Sequence, residues 1–272
     1  MDCMIEIRSW LLALGVMLLQ VSCCRTPAAA DSTATADESP ADTCLTDTVP
    51  PACSVTAEAA TWQAGIVLDP LTIQKLNADS LFKIRAIDST LLQRISGRSY
   101  QPGLGLHVSR LRYLQLLHIN AEGRTQTGEL ICNRRIASDL LQIFRTLYDS
   151  AYVIERMVLV DDYEADDLRS MAANNTSCFN YRTVSGTGRL SRHATGMAVD
   201  INPGYNPCID LRSGSVQPAA GAPYAHDRDT CTHPMLIRRG DLCHRLFRQY
   251  GFRWGGDWPA SVGKRDYQHF AR

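Results

Sequence analysis

The sequence predicts a mixed α+β domain, and three observations predict it. Apolar residues recur at helical spacing between residues 134 and 149. Two apolar runs before them, residues 111–119 and 128–132, have the length and composition of strands. Near the C-terminus, a helical stretch stopped by glycine leads into two short strand-like runs.

Taken in order, Leu111 to Ile119 reads as a strand and Gly128 to Cys132 as another. Ile136, Leu140, Ile143, Phe144 and Leu147 fall on one side of a helix over residues 134–149. Met157, Leu159 and Val160 suggest a further strand. Ala165 to Ala173 suggests a short helix, ended by Asn174-Asn175. Met197 to Ile201 reads as a strand in which Val199 and Ile201 face one way and Asp200 the other. Asp241 to Tyr250 reads as a helix with Leu242, Leu246 and Phe247 inward, stopped by Gly251. Phe252 to Trp254 and Tyr267 to Phe270 close the domain as strands.

Composition narrows the function. The chain has 272 residues, 45% of them hydrophobic, which suits one good-sized core or two small ones. Its formal net charge is zero, so no basic field points to nucleic acid. No phosphate loop, dinucleotide fingerprint or G-x-S-x-G elbow is present, which leaves nucleotide chemistry and serine hydrolysis without support.

The N-terminal part reads as targeting and spacing. Trp10 to Val21 is an apolar run too short for a comfortable membrane span, and it fits a signal peptide. Val21-Ser22-Cys23-Cys24 follows, so residues 1–23 read as a lipoprotein signal; an ordinary cleaved signal peptide is the alternative. Residues 24–60 are rich in Ala, Thr, Ser, Asp and Pro, with no Lys or Arg between Arg25 and Lys75. Such a segment buries too little apolar surface to offset its ordering entropy and reads as a disordered tether before a domain over 61–272. Ten cysteines behind an export signal predict disulfides, and the lack of any C-x-x-C pair argues against a thiolate zinc site.

Two histidine-bearing segments carry the chemistry. The first is Ser191-Arg192-His193-Ala194-Thr195-Gly196-Met197-Ala198-Val199-Asp200, and the second is Asp266-Tyr267-Gln268-His269-Phe270. Together they offer two imidazoles and a carboxylate to a metal, plus a second carboxylate three residues before the last histidine. Catalytic zinc takes three protein ligands, an open position for water and a nearby base. Gly196 permits a tight turn between His193 and Asp200. Asp266 and His269 would face opposite sides of a regular strand, so a turn at Asp266 is required to bring them together. An isolated His-x6-Asp is more often a surface histidine and a turn cap. The length of the first segment and the presence of the second weigh against that reading.

These segments resemble the zinc D-Ala-D-Ala peptidase family, the VanX/VanY-like bacterial cell-wall peptidases. The likeness lies in Ser-x-His-x-x-Gly-x-Ala-x-Asp and the late acidic-x-x-His, and extends through Ile201-Asn202-Pro203 and Gly255-Gly256-Asp257-Trp258. It is placed over roughly residues 80 to 272. It implies a small antiparallel sheet flanked by helices, the hedgehog/DD-peptidase-like zinc fold. It implies one Zn2+ held by His193, Asp200 and His269, with Asp266 as general base. The family has a substrate-binding arginine upstream of the first histidine, and Arg182 is its match here. Arg182 then binds the substrate carboxylate or the developing oxyanion, with Arg189 and Arg192 as alternatives. Ser177 and Asn175 are candidates for orienting substrate. Trp258 reads equally as a wall of the cleft or as a core residue.

The implied partner is the peptidoglycan stem peptide, cut by D-Ala-D-Ala carboxypeptidase-like or L-Ala-D-Glu endopeptidase-like hydrolysis. The protein is then an exported bacterial monomer in the periplasm or at the outer membrane, touching the membrane only through an N-terminal lipid anchor. The alternative is a non-catalytic zinc-stabilised module that binds cell-wall peptides, since fold alone does not establish hydrolysis. Of the other histidines, His118 reads as a core residue, and His107, His226, His233 and His244 as weak competitors for metal.

Overall fold

A computed structural model describes residues 62–184 and 187–272. The expected signal and tether, with the cysteines they contain, lie outside the described residues. In chain order the regular elements begin with α1 (Pro70–Leu76), β1 (Lys83–Arg85), α2 (Ser89–Ile95), β2 (Leu111–Ile119) and β3 (Thr125–Asn133). Next come α3 (Ala137–Asp149), α4 (Asp167–Ala172), β4 (Ala198–Asp200), β5 (Cys208–Asp210) and β6 (Val216–Gln217). The chain ends with α5 (Leu242–Gln249), β7 (Arg253–Trp254), β8 (Lys264–Asp266) and β9 (His269–Ala271). None of the described helices is long and apolar enough to cross a membrane.

The fold is α+β, with three small sheets where the sequence reading expected one. Each has three strands, in the orders β1-β2-β3, β4-β9-β7 and β6-β5-β8, and every pairing is antiparallel. The first sheet is the scaffold. β2 and β3 pair along all nine residues of each, from Leu111↔Asn133 to Ile119↔Thr125. Their apolar residues do not alternate cleanly with polar ones, because both faces are covered. Leu114, Leu116, Leu130 and Cys132 join the main core, whereas Leu111, Tyr113 and Ile131 join a second cluster with Leu91, Ile95, Tyr100 and Phe179.

Helix α3 packs on the first sheet. Leu140, Ile143, Phe144 and Leu147 are buried at the spacing read from the sequence. α5 is capped by the Asp241 carboxylate, which accepts from His244 N at 2.7 Å, and Gly251 just beyond it has φ +81. Its buried face is Cys243 and Phe247, with Leu242 and Leu246 half-buried beside them. The Phe247 ring meets Phe144 edge-on at 6.3 Å, stacks on Phe270 at 4.3 Å and meets Phe252 at 5.2 Å. Four phenylalanines thereby tie α3 and α5 to β9, the strand that carries His269.

Two expectations are corrected. Met157 to Val160 is not a strand. The segment is extended and hangs on β3 by single contacts, Glu129 N to Met157 O at 2.9 Å among them, and Val160 already opens a 3-10 turn. The expected disulfides are absent among the described residues, where Cys132, Cys178, Cys208, Cys231 and Cys243 are all free thiols. Cys132, Cys178 and Cys243 are buried in the main core and act there as small apolar side chains, with burial pushing each thiol pKa up.

His118 is the core residue the sequence suggested. It is 2% exposed, and its Nδ1 lies 2.6 Å from the Ile154 carbonyl. Burial pulls its pKa down from 6.5 to about 4. Between those pH values the unfolded chain binds a proton that the folded protein refuses. The contribution of His118 to stability is therefore full above pH 6.5 and is lost as the pH falls toward 4. Over that window the loss amounts to roughly 3 kcal/mol. Urea titrations at several pH values are expected to show a shallower decline for His118→Gln than for the unaltered chain. Identical slopes would remove this residue from the account.

Candidate metal centre

Each ligand of the centre arrives by a different local device. Asp200 ends β4 and His269 begins β9, and the antiparallel register sets them directly opposite each other. On its other side Asp200 pairs with Ser177, with N to O distances of 3.0 and 2.9 Å. The pleat turns Val199 and Ile201 into the core and leaves Asp200 facing the centre. His193 comes from a one-turn 3-10 helix, His193–Thr195, closed by Gly196 in the left-handed region at φ +63. That turn is clamped to the end of β3: Asn133 N donates to Gly196 O and Asn133 Nδ2 to Thr195 O, both at 2.9 Å. Only glycine fits, because a Cβ on residue 196 would lie 2.7 Å from Asn133 N.

The three side chains meet in a buried cluster. His269 Nδ1 is 3.0 Å from Asp200 Oδ1, His193 Nε2 is 3.2 Å from Asp200 Oδ2, and the two ring nitrogens are 3.2 Å apart. Zinc bonds of about 2.0–2.1 Å to nitrogen in a tetrahedral site keep ligand atoms roughly 3.3 Å apart. The donor set and spacing therefore fit one zinc ion. His193 Nδ1 lies 2.6 Å from the Cys178 carbonyl, which fixes the ring and leaves Nε2 for the metal. Burial would raise the Asp200 pKa, but the imidazoles of His193 and His269 overcome it and hold the carboxyl well below its usual range. Burial would likewise lower the pKa of His269, but its bond to Asp200 and that residue's charge raise it instead.

Asp266 stands beside the triad on a different sheet. It ends β8, Tyr267 and Gln268 break the strand, and β9 begins at His269. The break supplies the turn that the Asp-x-x-His spacing requires. Asp266 is half-buried, and its Oδ1 is shut off from solvent without a hydrogen-bond partner. Burial raises its pKa above the ordinary carboxylate value, and the nearby Asp200 charge adds to the rise against the opposing pull of His269. Gly255 packs against it so closely that a Cβ there would collide with the Asp266 backbone and lie 2.9 Å from its Cβ.

A cavity of about 690 Å³ opens onto the centre. Arg182 and Trp258 line it together with His193, Asp200, Asp266 and His269. Arg182 is held by Asp167 at 2.8 Å, and its Nε is buried without a partner. The Trp258 ring meets His269 edge-on at 5.5 Å. Ser177 and Asn175 do not line the cavity. Asn175 is fully buried, bonded through its carboxamide to Val158 and to Ser170 Oγ. Ser177 is 7% exposed and serves Asp200 through its backbone. Their polarity, read as facing a ligand, is used to build the wall behind the site.

Among the described residues no other histidine joins the cluster. His233 stacks on Tyr205 at 4.1 Å, and His244 meets Trp254 edge-on at 5.3 Å. Sequence reasoning missed Asp167, Met171, Lys264 and Gln268 on the cavity wall. The i, i+4 spacing of Asp167 and Met171 on a short helix was a usable signal for one shared face. The Cys178 carbonyl had none, since any residue carries that group.

Residues 185–272 match the model of the family described as D-alanyl-D-alanine carboxypeptidase. By that match the chain is similar to the D-alanyl-D-alanine carboxypeptidase family over its last 88 residues, 185–272. The matched segment is shorter than the span over which the sequence resembles the family. It contains His193, Asp200, Asp266 and His269, and leaves Arg182, Ser177 and Asn175 outside. No curated protein and no solved structure matches the chain.

Gly196→Ala is expected to cost about 2 kcal/mol or more, from a side chain in the left-handed region and its clash with β3. Because the same turn carries His193, zinc affinity should fall at least about tenfold. Denaturant midpoints and zinc titration check both. An unchanged midpoint with unchanged affinity would contradict the clamp.

Proposed function

We propose that this protein is a zinc peptidase that hydrolyses the stem peptides of peptidoglycan, as a D-Ala-D-Ala carboxypeptidase or an L-Ala-D-Glu endopeptidase. One observation carries the proposal: Asp266, whose buried Oδ1 has no hydrogen-bond partner, lines the same cavity as the buried His193–Asp200–His269 triad, inside the family-matched segment. The hedgehog/DD-peptidase-like fold is part of the same reading.

Zinc bound by the triad would acidify a water molecule and polarise the scissile carbonyl. Asp266 takes the proton of that attacking water. Burial suits it to the task, because a raised pKa makes the carboxylate a stronger base. The same carboxyl then returns the proton to the leaving amine. Arg182, fixed by Asp167 on the cavity wall, supplies a guanidinium for the substrate carboxylate or the oxyanion. Trp258 forms an apolar wall next to His269 and holds the peptide against the centre. Arg182, Asp266 and Trp258 need zinc in place to act on a peptide. The described residues lining the cavity supply no second metal cluster for the work.

A binding module would need the triad but not the base, and Asp266 therefore favours the enzyme. We further propose that the protein is exported and monomeric, in the periplasm or held at the outer membrane by a lipid on Cys23. This part rests on residues 1–23 and on the cell-wall substrate.

Asp266→Ala is expected to keep zinc at one per chain and to lose turnover by about a hundredfold or more. His193→Ala and His269→Ala are expected to lose both metal and turnover. Mass spectrometry of purified muropeptides decides the bond: loss of a terminal alanine marks the carboxypeptidase, and a cut between L-Ala and D-Glu marks the endopeptidase. A zinc-bearing, folded protein that yields no product would make it the binding module.

A further inference from the structure

A second pocket of about 500 Å³ adjoins the metal centre. It shares Arg192, Trp258 and His269 with the main cavity, and Arg253 and Arg272 line it beyond them. No carboxylate side chain lines it. Arg272 is committed elsewhere, to Asp139 at 2.7 Å and the Tyr250 carbonyl at 2.7 Å. Arg192 and Arg253 are exposed and form no ion pair among the described residues.

The main cavity repeats the imbalance. Arg182 is neutralised by Asp167 and Asp200 is taken up by the two imidazoles, which leaves the single carboxylate of Asp266 against Arg189, Arg192 and Lys264, none of them ion-paired among the described residues. The chain as a whole carries 28 basic and 28 acidic residues. Unpaired cations around the metal are therefore a local arrangement and not the overflow of a basic protein. Guanidiniums are the side chains best shaped to take a carboxylate by two parallel hydrogen bonds.

We propose that the side pocket is a carboxylate subsite, in which Arg192 and Arg253 select peptides that carry acidic side groups outside the bond being cut. The proposal rests on the peptidase reading for the identity of the ligand, a stem peptide. It is separate from the contact assigned to Arg182, which borders only the main cavity. A peptide held at the metal reaches this subsite past His269 and Trp258. A carboxylate seated there adds affinity without entering the reaction, and a carboxamide in its place does not.

The test uses the zinc-loaded full chain bearing Asp266→Ala, so that peptides bind without being consumed. Calorimetry compares a stem tetrapeptide with the same peptide in which every carboxylate except the terminal one is a carboxamide. The acidic form is expected to bind about tenfold tighter at low salt, and the gap should shrink in roughly 0.5 M salt. Arg253→Gln should narrow the gap about three- to tenfold. Arg192→Gln, across the pocket, should do the same, so one variant decides the matter if the other does not fold. A parent protein without a gap, or a gap equally wide in the folded variants, overturns the proposal. Turnover by the unaltered chain is scored apart. A charge gap in binding with no product overturns the peptidase reading and keeps the subsite, whereas product with no gap does the reverse.

Discussion

The antiparallel pairing of Asp200 with His269 is the contact on which the centre depends. A strand presents alternate residues to opposite faces, so a slip of one residue would send both ligands into the core and bring Val199 and Phe270 out. What forbids the slip is apolar packing. Phe270 stacks on Phe247 and lies 6.4 Å from Trp254, and Val199 and Ile201 are fully buried. The candidate ligands Asp200 and His269 are thus placed by hydrophobic burial on the reverse side of their own strands, with no need for their side chains to drive the fold.

Burying the cluster has an energetic cost that the surroundings offset. A carboxylate removed from water must be paired, and that of Asp200 finds two imidazoles. The polar stretch from Asn174 to Tyr181 is the layer that makes this tolerable. Asn175 ties it to Val158 and Ser170, Ser177 pairs with β4, and the Cys178 carbonyl orients His193. Residues that look like a ligand-binding loop by composition are spent one layer behind the ligands, where buried polar groups must be satisfied.

Much of this was legible in the sequence. The register of α3, the two long strands and the inward face of β4 follow from periodicity, which burial enforces directly. The meeting of His193, Asp200 and His269 was expected from the long first segment together with the late Asp-x-x-His and the family they resemble, since the His-x6-Asp spacing alone is common. What escaped has a common cause. α1, α2 and the third sheet are short, and segments of two to seven residues carry too little periodicity to be told from loops. The free thiols escaped because composition argues compartment, whereas pairing depends on which side chains meet. Cys132, Cys178 and Cys243 lie in apolar packing that needs no cross-link. Asn175 and Ser177 escaped because polarity alone does not say which way a side chain faces.

Asp266 is positioned largely by contacts outside the His193–Asp200–His269 cluster. Asp266 belongs to β8, whose neighbour is β5, and the turn between β8 and β9 is fixed by groups outside the triad. Trp254 Nε1 donates to the Tyr267 carbonyl at 2.8 Å, the Arg228 guanidinium lies 4.0 Å over the Tyr267 ring, and Ile201 N donates to Gln268 O. Arg228 is itself fastened by Asn206 and by three backbone carbonyls, and burial pulls its pKa down to about 10. Asn206 in turn ties the segment around Met235 and Ile237 to the end of β4. The residues from 205 to 237 therefore act as a buttress for the turn, not as a source of ligands. In the proposed mechanism this gives the carboxylate of Asp266 supports of its own beside the strand pairing that brings Asp200 and His269 together. Because Asn206 also holds Ile201 and Asn202 just after Asp200, and the turn runs directly into His269, damage to the buttress would reach the triad as well as Asp266.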